Sequence, residues 1–239
     1  MKKEGSYLKA VITQREQIDM HGVEIDMLES NYVRYFENLG FELFPLSNFT
    51  LNLDKILKNN QFDLIILTGG GSIPSKFYKN GHSDFAQENR DKLEWKLMEY
   101  STKEDIPILA ICRGMQYINA YLGGEISKLL NLKEDRPIGK DHSIILSDGT
   151  EILVNNYHND GIYANDLGET FKILGLDIEN EVIEAIYSEK MKWLGLQWHP
   201  ERIMNDIESR DRCKKLIQDF SKNGGIIDEG YYFSSRTRD

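Results

Sequence analysis

The segment IPILAICRGMQ, residues 106–116, decides the fold class of this chain. It opens with an apolar run of the kind that forms a buried strand, and Cys112 stands where that run ends. From Arg113 onward the sequence has helical spacing as far as Gly123. A buried strand that passes directly into a helix is typical of α/β folds, in which helices cover both faces of a parallel sheet.

Further strands and helices are predicted on both sides of this segment. The predicted strands are Leu8–Thr13, Phe41–Leu46, Asp63–Thr68, Ile106–Ile111, Ser143–Leu146, Glu151–Asn155, Phe171–Leu176, Val182–Tyr187 and Trp193–Gln197. The predicted helices are Glu24–Leu39, a short stretch at Leu53–Leu57, Asn89–Ser101, residues 113–122 and Ile203–Phe220. This order predicts a three-layer α/β sandwich, with a mostly parallel central sheet and an antiparallel extension made by the later strands.

Cys112 is a candidate nucleophile because of its place between strand and helix. Such a turn lifts its central side chain above the sheet edge and aims the first N–H groups of the helix at it. That environment lowers the pKa of a thiol. Ala110 and Gly114 are small, as a tight turn requires, and the backbone N–H of Arg113 is a candidate oxyanion donor. The alternative is a buried structural cysteine, and the local context leaves the two interpretations about equally favoured.

A candidate base lies near the C-terminus in Gln197-Trp198-His199-Pro200-Glu201. Side chains two residues apart in an extended chain point the same way, and Pro200 keeps His199 extended. Glu201 is therefore placed to bind one imidazole nitrogen and to turn the other toward a nucleophile. The alternative is a surface His-Pro-Glu turn. If the strands before Cys112 and His199 are parallel, both residues lie at the sheet edge where α/β proteins bind ligands.

Length, charge and cysteine content restrict the class of protein. A chain of 239 residues suits one α/β domain, so residues 1–239 are predicted as a single domain with a flexible tail near 230–239. The net charge of −10 argues against a nucleic-acid partner. Two cysteines, no signal-type start and no membrane-length apolar run predict a cytoplasmic protein without a membrane partner. No histidine has metal-ligand spacing, so neither a metal nor a cofactor is expected.

The Ala110–Gln116 and Gln197–Glu201 motifs, in this order, resemble class I glutamine amidotransferases. The resemblance runs from about Val11 to Asp219 and is greatest to the γ-glutamyl hydrolase branch, which contains γ-glutamyl-γ-aminobutyrate hydrolase. That branch has Cys-Arg-Gly-Met-Gln after the elbow strand. It also has a Thr-Gly-Gly-Gly loop, present here as residues 68–71, and a segment similar to residues 154–158. The resemblance implies the class I glutaminase-like, flavodoxin-like sandwich.

The resemblance also implies a role for individual residues. Cys112 would attack the γ-carbonyl of a glutamyl group, His199 would transfer the proton, and Glu201 would orient His199. Backbone N–H groups would form the oxyanion hole, at Gly70, Gly71 and Arg113. Further side chains are candidates for substrate contact: Gln116, Asn156, Tyr157, His158 and Arg15. Of these, Arg15 is slightly better explained as a solvated arginine, and His158 is equally well explained as a local hydrogen-bonding residue.

Two departures from the family pattern bear on specificity. Ala110 stands where the elbow motif usually has Gly, which is a small change. Asn159 and Asp160 follow His158 where the branch usually has His-Gln, and this segment often lies near the leaving group. The identity of the substrate is therefore left open by the sequence.

Three functions are compatible with the sequence and with this resemblance. The first is a hydrolase of a small-molecule γ-glutamyl conjugate, with a γ-glutamyl nucleotide phosphoramidate such as γ-glutamyl-CDP-amidate of capsule biosynthesis as one candidate. The second is a glutaminase subunit that delivers ammonia to a separate synthetase partner, since no synthetase domain fits in 239 residues. The third is a non-catalytic binding protein on the same fold. A homodimer is compatible with each of them.

Overall fold

The computed structural model describes residues 7–83, 87–129 and 139–225. The strands of these residues are β1 (Leu8–Thr13), β2 (Arg15–Ile18), β3 (Glu24–Met27), β4 (Phe41–Leu46), β5 (Leu64–Leu67), β6 (Tyr78–Asn80), β7 (Ile108–Ile111), β8 (Ile126–Lys128), β9 (Asp141–Leu146), β10 (Glu151–Asn155), β11 (Asp160–Tyr163), β12 (Lys172–Asp177), β13 (Val182–Ser188) and β14 (Trp193–Leu196). The helices are α1 (Ser30–Asn38), α2 (Leu53–Asn60), α3 (Glu88–Glu104), α4 (Arg113–Tyr121) and α5 (Ile207–Asn223).

A single large sheet forms the middle layer. Its strands follow the order β10-β9-β12-β13-β14-β7-β5-β1-β4. The five strands from β14 to β4 are mutually parallel, whereas β13, β12, β9 and β10 continue the sheet with antiparallel pairing. The predicted parallel sheet with an antiparallel extension is confirmed.

Two apolar cores lie on opposite faces of this sheet. Alternate residues of β5 show the division, because Ile65 and Leu67 pack into one core while Leu64 and Ile66 pack into the other. The first core also takes the apolar faces of α2, α3 and α4, and the second takes those of α1 and α5. Burial on both faces explains why the central strands are apolar at consecutive positions.

The turn between β7 and α4 has the strained geometry of a nucleophile elbow. Cys112 has φ 52° and ψ −106°, a conformation that non-glycine residues rarely adopt. Its backbone N–H donates to Leu196 O at 2.7 Å, which ties the turn to β14. Gly114 lies against β5, since a methyl group on its Cα would stand 2.5 Å from Leu67 O. The small residue predicted at this position is therefore required by a backbone contact.

Replacing Gly114 by alanine is expected to destabilise the fold by about 1–3 kcal/mol. The added methyl would press on the Leu67 carbonyl, and backbone cannot yield as a flexible side chain can. The measurement is the free energy of unfolding from urea titrations of both proteins. An unchanged midpoint would show that α4 shifts away from β5 at no cost.

The predicted helix at Glu24–Leu39 is wrong in its first part. Residues Glu24–Met27 form β3 and pair antiparallel with β2, and α1 begins only at Ser30. The turn between the two strands explains the difference, because the Asp19 carboxylate accepts hydrogen bonds from the N–H groups of His21 and Val23. This local hairpin outweighs the apolar spacing that predicted a helix.

Further features of the fold differ from the sequence predictions. The last helix begins at Ile207 rather than Ile203, because the Asp206 side chain caps it by accepting from Ser209 N at 2.7 Å. A small sheet was also missed, in which β8 pairs with both β6 and β11. Strands this short carry little periodic signal. The predicted flexible tail near 230–239 lies outside the described residues.

Candidate active site

Cys112 and His199 meet at the carboxyl edge of the sheet because their strands are neighbours. β7 and β14 run parallel, with Ile111 opposite Leu196. His199 lies just beyond the end of β14 rather than within it. Asn155 holds its backbone from both sides, donating from Nδ2 to His199 O at 2.8 Å and accepting from His199 N at 2.9 Å. The imidazole then forms a side-chain hydrogen bond with the Cys112 thiol.

The expected contact between His199 and Glu201 is present. His199 Nδ1 lies 2.6 Å from Glu201 Oε1, and both side chains are almost completely buried. Nδ1 is thus occupied by the carboxylate, which leaves Nε2 for the Cys112 side. The order Cys112, His199, Glu201 is that of a nucleophile, a base and an orienting group.

Electrostatics favour the ionised form of the Cys112–His199 pair. Burial opposes ionisation of the Cys112 thiol, but His199 outweighs it through charge and a hydrogen bond, so the pKa of Cys112 is lowered from its ordinary value. Burial also opposes the imidazolium, whereas Cys112 and Glu201 favour it and raise the pKa of His199 to about 9. In such a pair the thiolate is a nucleophile, and the imidazolium beside it is a proton donor.

The rate of Cys112 alkylation by iodoacetamide is expected to report this pair. In the wild type the rate should rise through a pKa below that of an ordinary thiol, because the thiolate forms while His199 is still protonated. In His199→Gln the inflection should move upward, since burial then acts on the thiol without a cationic partner. The measurement is the pH dependence of the alkylation rate, followed by mass spectrometry of the Cys112 peptide. Identical inflections in the two proteins would contradict the ion pair.

The glycine loop at residues 69–71 lies directly against the reacting groups. A methyl group on Gly69 would stand 2.6 Å from His199 Cε1 and 3.3 Å from Cys112 Cβ. The N–H of Gly69 donates to the hydroxyl of Tyr32 at 2.9 Å, a buried contact that could not be predicted from the sequence. Gly70, whose φ is 88°, lies against the guanidinium of Arg15. The loop predicted to carry oxyanion donors is therefore beside the nucleophile.

The predicted substrate residues divide into two groups. Tyr157 packs edge-on against the His199 ring with 5.7 Å between centroids, and the Arg202 guanidinium lies over the Tyr157 ring, 4.2 Å from its centroid. Arg15 contacts the loop at Gly70 and lies 3.3 Å from Glu29 Oε1, so it is not simply solvated. These residues border the reacting groups and are the best placed to contact a substrate.

The other predicted substrate residues have partners inside the protein. Gln116 is buried and donates from Nε2 to Asp160 O at 3.1 Å and to Gln197 Oε1 at 3.3 Å. Asn156 is also buried, and its Oδ1 lies 3.4 Å from the N–H of His158. These contacts tie Gln116 and Asn156 to neighbouring residues of the protein, and a role in substrate binding remains a prediction.

His158 belongs to a buried polar cluster behind the nucleophile. Its Nε2 lies 3.5 Å from Glu184 Oε1, and His142 Nε2 lies 3.4 Å from the same oxygen. Burial opposes ionisation of Glu184, but the two histidines lower its pKa to about 2. Burial likewise opposes a charged His158, whereas Glu184 and Cys112 raise its pKa. A cationic His158 adds to the positive surroundings of the Cys112 sulfur.

Comparison with known proteins agrees with this fold. The chain belongs to the Peptidase C26 family, whose model matches residues 8–201. The γ-glutamyl-CDP-amidate hydrolase of Campylobacter jejuni is 29% identical over 203 residues, which make up 84% of this chain and 94% of that protein. Anthranilate synthase component 2 of Methanocaldococcus jannaschii is 26% identical over 207 residues, covering 82% and 92% of the two chains.

Solved structures share the same architecture. A glutamine amidotransferase of Thermotoga maritima superposes with a TM-score of 0.59 at 17% identity, covering 91% of this chain and 98% of that one. At this identity the likeness shows the fold, which is that of class I glutamine amidotransferases. Among the residues described here, no helix is long and apolar enough to cross a membrane.

Proposed function

We propose that this protein is a cysteine-dependent hydrolase of the γ-glutamyl amide bond in a small-molecule conjugate. The observation that carries the proposal is the hydrogen-bonded series Cys112–His199–Glu201 at the sheet edge. A structural cysteine needs no histidine and carboxylate in this order. The retention of all three groups likewise opposes a purely binding function on this fold.

The proposed reaction proceeds through a thioester. The Cys112 thiolate forms a bond to the γ-carbonyl carbon, and the electron pair of the C=O bond moves onto oxygen. Collapse of this intermediate breaks the C–N bond, and the leaving nitrogen takes its proton from His199. Water then attacks the thioester carbon with His199 as base, and the C–S bond breaks, which releases glutamate and restores the Cys112 thiolate beside protonated His199.

Backbone N–H groups would stabilise the negative oxygen in both steps. Arg113 N lies at the start of α4 and is aimed at the Cys112 side chain, and Gly70 N lies in the loop across from it. One such donor is worth a factor of roughly 10² to 10³ in kcat. The strained backbone of Cys112 is consistent with this geometry, since strain of this kind is concentrated at functional sites.

The leaving group is proposed to carry negative charge, as a γ-glutamyl nucleotide phosphoramidate does. Arg15 and Arg202 border the site, and the two share one carboxylate, Glu29. Arg202 Nε also lies 3.9 Å from Glu201 Oε1, so two carboxylates match the two guanidinium groups, which would meet an anionic leaving group as hydrogen-bond donors. The Campylobacter jejuni relative, named for its action on γ-glutamyl-CDP-amidate, supports this substrate class for the present chain.

The deciding experiment is glutamate release by the purified chain alone. The substrates are L-glutamine, γ-glutamyl amines and amino acids, and a γ-glutamyl nucleotide phosphoramidate, with Cys112→Ala as the control. Turnover of one conjugate that depends on Cys112, with glutamine inert, would establish a dedicated hydrolase and identify its leaving group. Activity that survives in Cys112→Ala would overturn the proposed nucleophile.

A glutaminase subunit is the second candidate. The observation that favours it is the alignment with anthranilate synthase component 2 over most of both chains. Under this alternative the chain alone would be slow on glutamine and inactive on every conjugate. Addition of a synthetase partner would then raise glutamine hydrolysis sharply, an effect that a free-standing hydrolase would not show.

A further inference from the structure

A buried arginine holds the carbonyl side of the glycine loop. Arg90 is fully buried on α3, and its guanidinium donates to three consecutive carbonyl oxygens. The distances are 2.5 Å from Nη2 to Thr68 O, 3.2 Å from Nη2 to Gly69 O and 2.8 Å from Nη1 to Gly70 O. One rigid planar group therefore fixes the direction of three peptide units in succession.

The peptide geometry places the loop N–H groups on the opposite side. In a planar trans peptide the C=O and the following N–H point in opposite directions. The carbonyl of Thr68 points to Arg90, and the N–H of Gly69 accordingly points away and reaches the Tyr32 hydroxyl. That hydroxyl lies on the side of Cys112 and His199. The carbonyl of Gly69 also accepts a hydrogen bond from Arg90. By the same rule, the N–H of Gly70 points away from α3.

The loop needs such a restraint because its residues are glycines. Gly70 and Gly71 have φ of 88° and 78°, and glycine enters and leaves this region at little cost. A peptide between two glycines can therefore turn over and present its carbonyl in place of its N–H. Three hydrogen bonds to a charged, buried donor oppose this rotation.

A single carboxylate joins Arg90 to the other side of the oxyanion site. Glu94 Oε1 accepts from Arg90 Nε at 2.8 Å, and Glu94 Oε2 accepts from the side chain of Arg113. Arg113 Nε in turn donates to Ser72 O at 3.1 Å, at the far end of the loop. Burial opposes ionisation of Glu94, but the two arginines hold its pKa below the ordinary value. Breaking one member would leave an uncompensated buried charge.

We propose that Arg90, held by Glu94, is a positioning residue that keeps the N–H of Gly70 directed into the oxyanion site. Arg113 completes this arrangement, because its backbone N–H is the second proposed donor. Its side chain also binds Glu94 and the Ser72 carbonyl that follows the glycine loop. This inference rests on the proposed function for the chemistry that it serves. It concerns the position of the loop and is independent of the leaving group.

The test compares two reactions of Cys112 that need no glutamyl group. Acylation by p-nitrophenyl acetate passes through a tetrahedral oxyanion, whereas alkylation by iodoacetamide does not. In Arg90→Lys, whose single ammonium cannot bind three carbonyls, acylation is expected to fall by roughly 10²-fold, the effect of losing one oxyanion donor. Alkylation should change by less than about threefold, since the Cys112–His199 pair is untouched. Mass spectrometry of the Cys112 adduct excludes reaction elsewhere.

Two further variants separate positioning from loss of stability. Leu97→Ala removes a buried side chain of the same helix that faces the apolar core, and it should lower the unfolding temperature while keeping the ratio of the two rates. Glu94→Gln keeps the shape of its side chain and should lower acylation by about tenfold, again with alkylation preserved. If Arg90→Lys fails to fold, Glu94→Gln decides the question.

Equal losses in acylation and alkylation, or no loss in either, would overturn the positioning role. Failure of the proposed function would give a different result. In that case the wild type would release no glutamate from any conjugate, while the ratio of the two Cys112 reactions would still respond to Arg90→Lys.

Discussion

Replacement of Cys112 by alanine is expected to lower glutamate release by roughly 10⁴-fold or more. A thioester requires a thiol, and the other cysteine of the described residues, Cys213, lies on α5 with its thiol pKa raised to about 12. The measurement is kcat on the conjugate that the wild type turns over best, with bound and released glutamate both determined. Retention of a large part of the wild-type rate would exclude the thioester.

The matched control is the second cysteine of the chain. Cys213 is also buried, on α5, and burial outweighs the opposing effects of Trp198 and Arg212 and raises the pKa of its thiol to about 12. Cys213→Ala should keep the wild-type rate, and iodoacetamide at neutral pH should label Cys112 and leave Cys213 unmodified. Labelling of both residues at similar rates would contradict the contrast between the two environments.

Replacement of Glu201 by glutamine is expected to lower kcat by roughly 10³ to 10⁴-fold with the fold intact. The amide has the same shape as the carboxylate, but its NH₂ group can donate to Nδ1 of His199. This stabilises the tautomer that carries its proton on Nε2, which cannot accept a proton from the thiol. The measurement is kcat together with the unfolding midpoint.

The pH profile gives a second readout of the same variant. Glu201 is one of the two charges that raise the pKa of His199 to about 9, against the effect of burial. Its loss should lower that pKa, so the limb of the rate profile that depends on protonated His199 should move to lower pH. Glu208→Gln, at an exposed position of α5, serves as the control and should leave both kcat and the profile unchanged. A limb that stays in place would show that Glu201 does not act through His199.

Much of the site followed from local sequence because its geometry is local. The elbow needs a buried strand, a residue in an unusual conformation and small neighbours, all within residues 106–116. The contact of His199 with Glu201 spans only two residues, and extended chain places such side chains on one face. The parallel order of the strands then brought Cys112 and His199 together, as the alternation of strands and helices predicted.

The sequence was less informative where contacts between distant residues, or two competing local preferences, decide the structure. Tyr32 lies on a helical face that predicts an ordinary core residue, and only the packing of α1 against the sheet brings its hydroxyl to Gly69. The β2–β3 hairpin was missed because apolar spacing favoured a helix, and the Asp19 turn reversed that preference.

Arg90 and Glu94 show the limit most clearly. They occupy the same buried stripe of α3 as Leu93 and Leu97, where an amphipathic helix usually carries apolar side chains. Two charged residues on that stripe indicated a buried polar site. An i, i+4 ion pair is, however, more usual on the solvated face of a helix.

By itself, the sequence of this protein determined the layer architecture, the strained turn at Cys112 and the contact of His199 with Glu201, because each depends on periodicity or on residues within a few positions. The tertiary structure alone decided which carbonyl oxygens accept hydrogen bonds from Arg90 and which aromatic ring packs against His199. Those contacts join residues far apart in the chain, and their geometry is fixed only when the helices pack on the sheet.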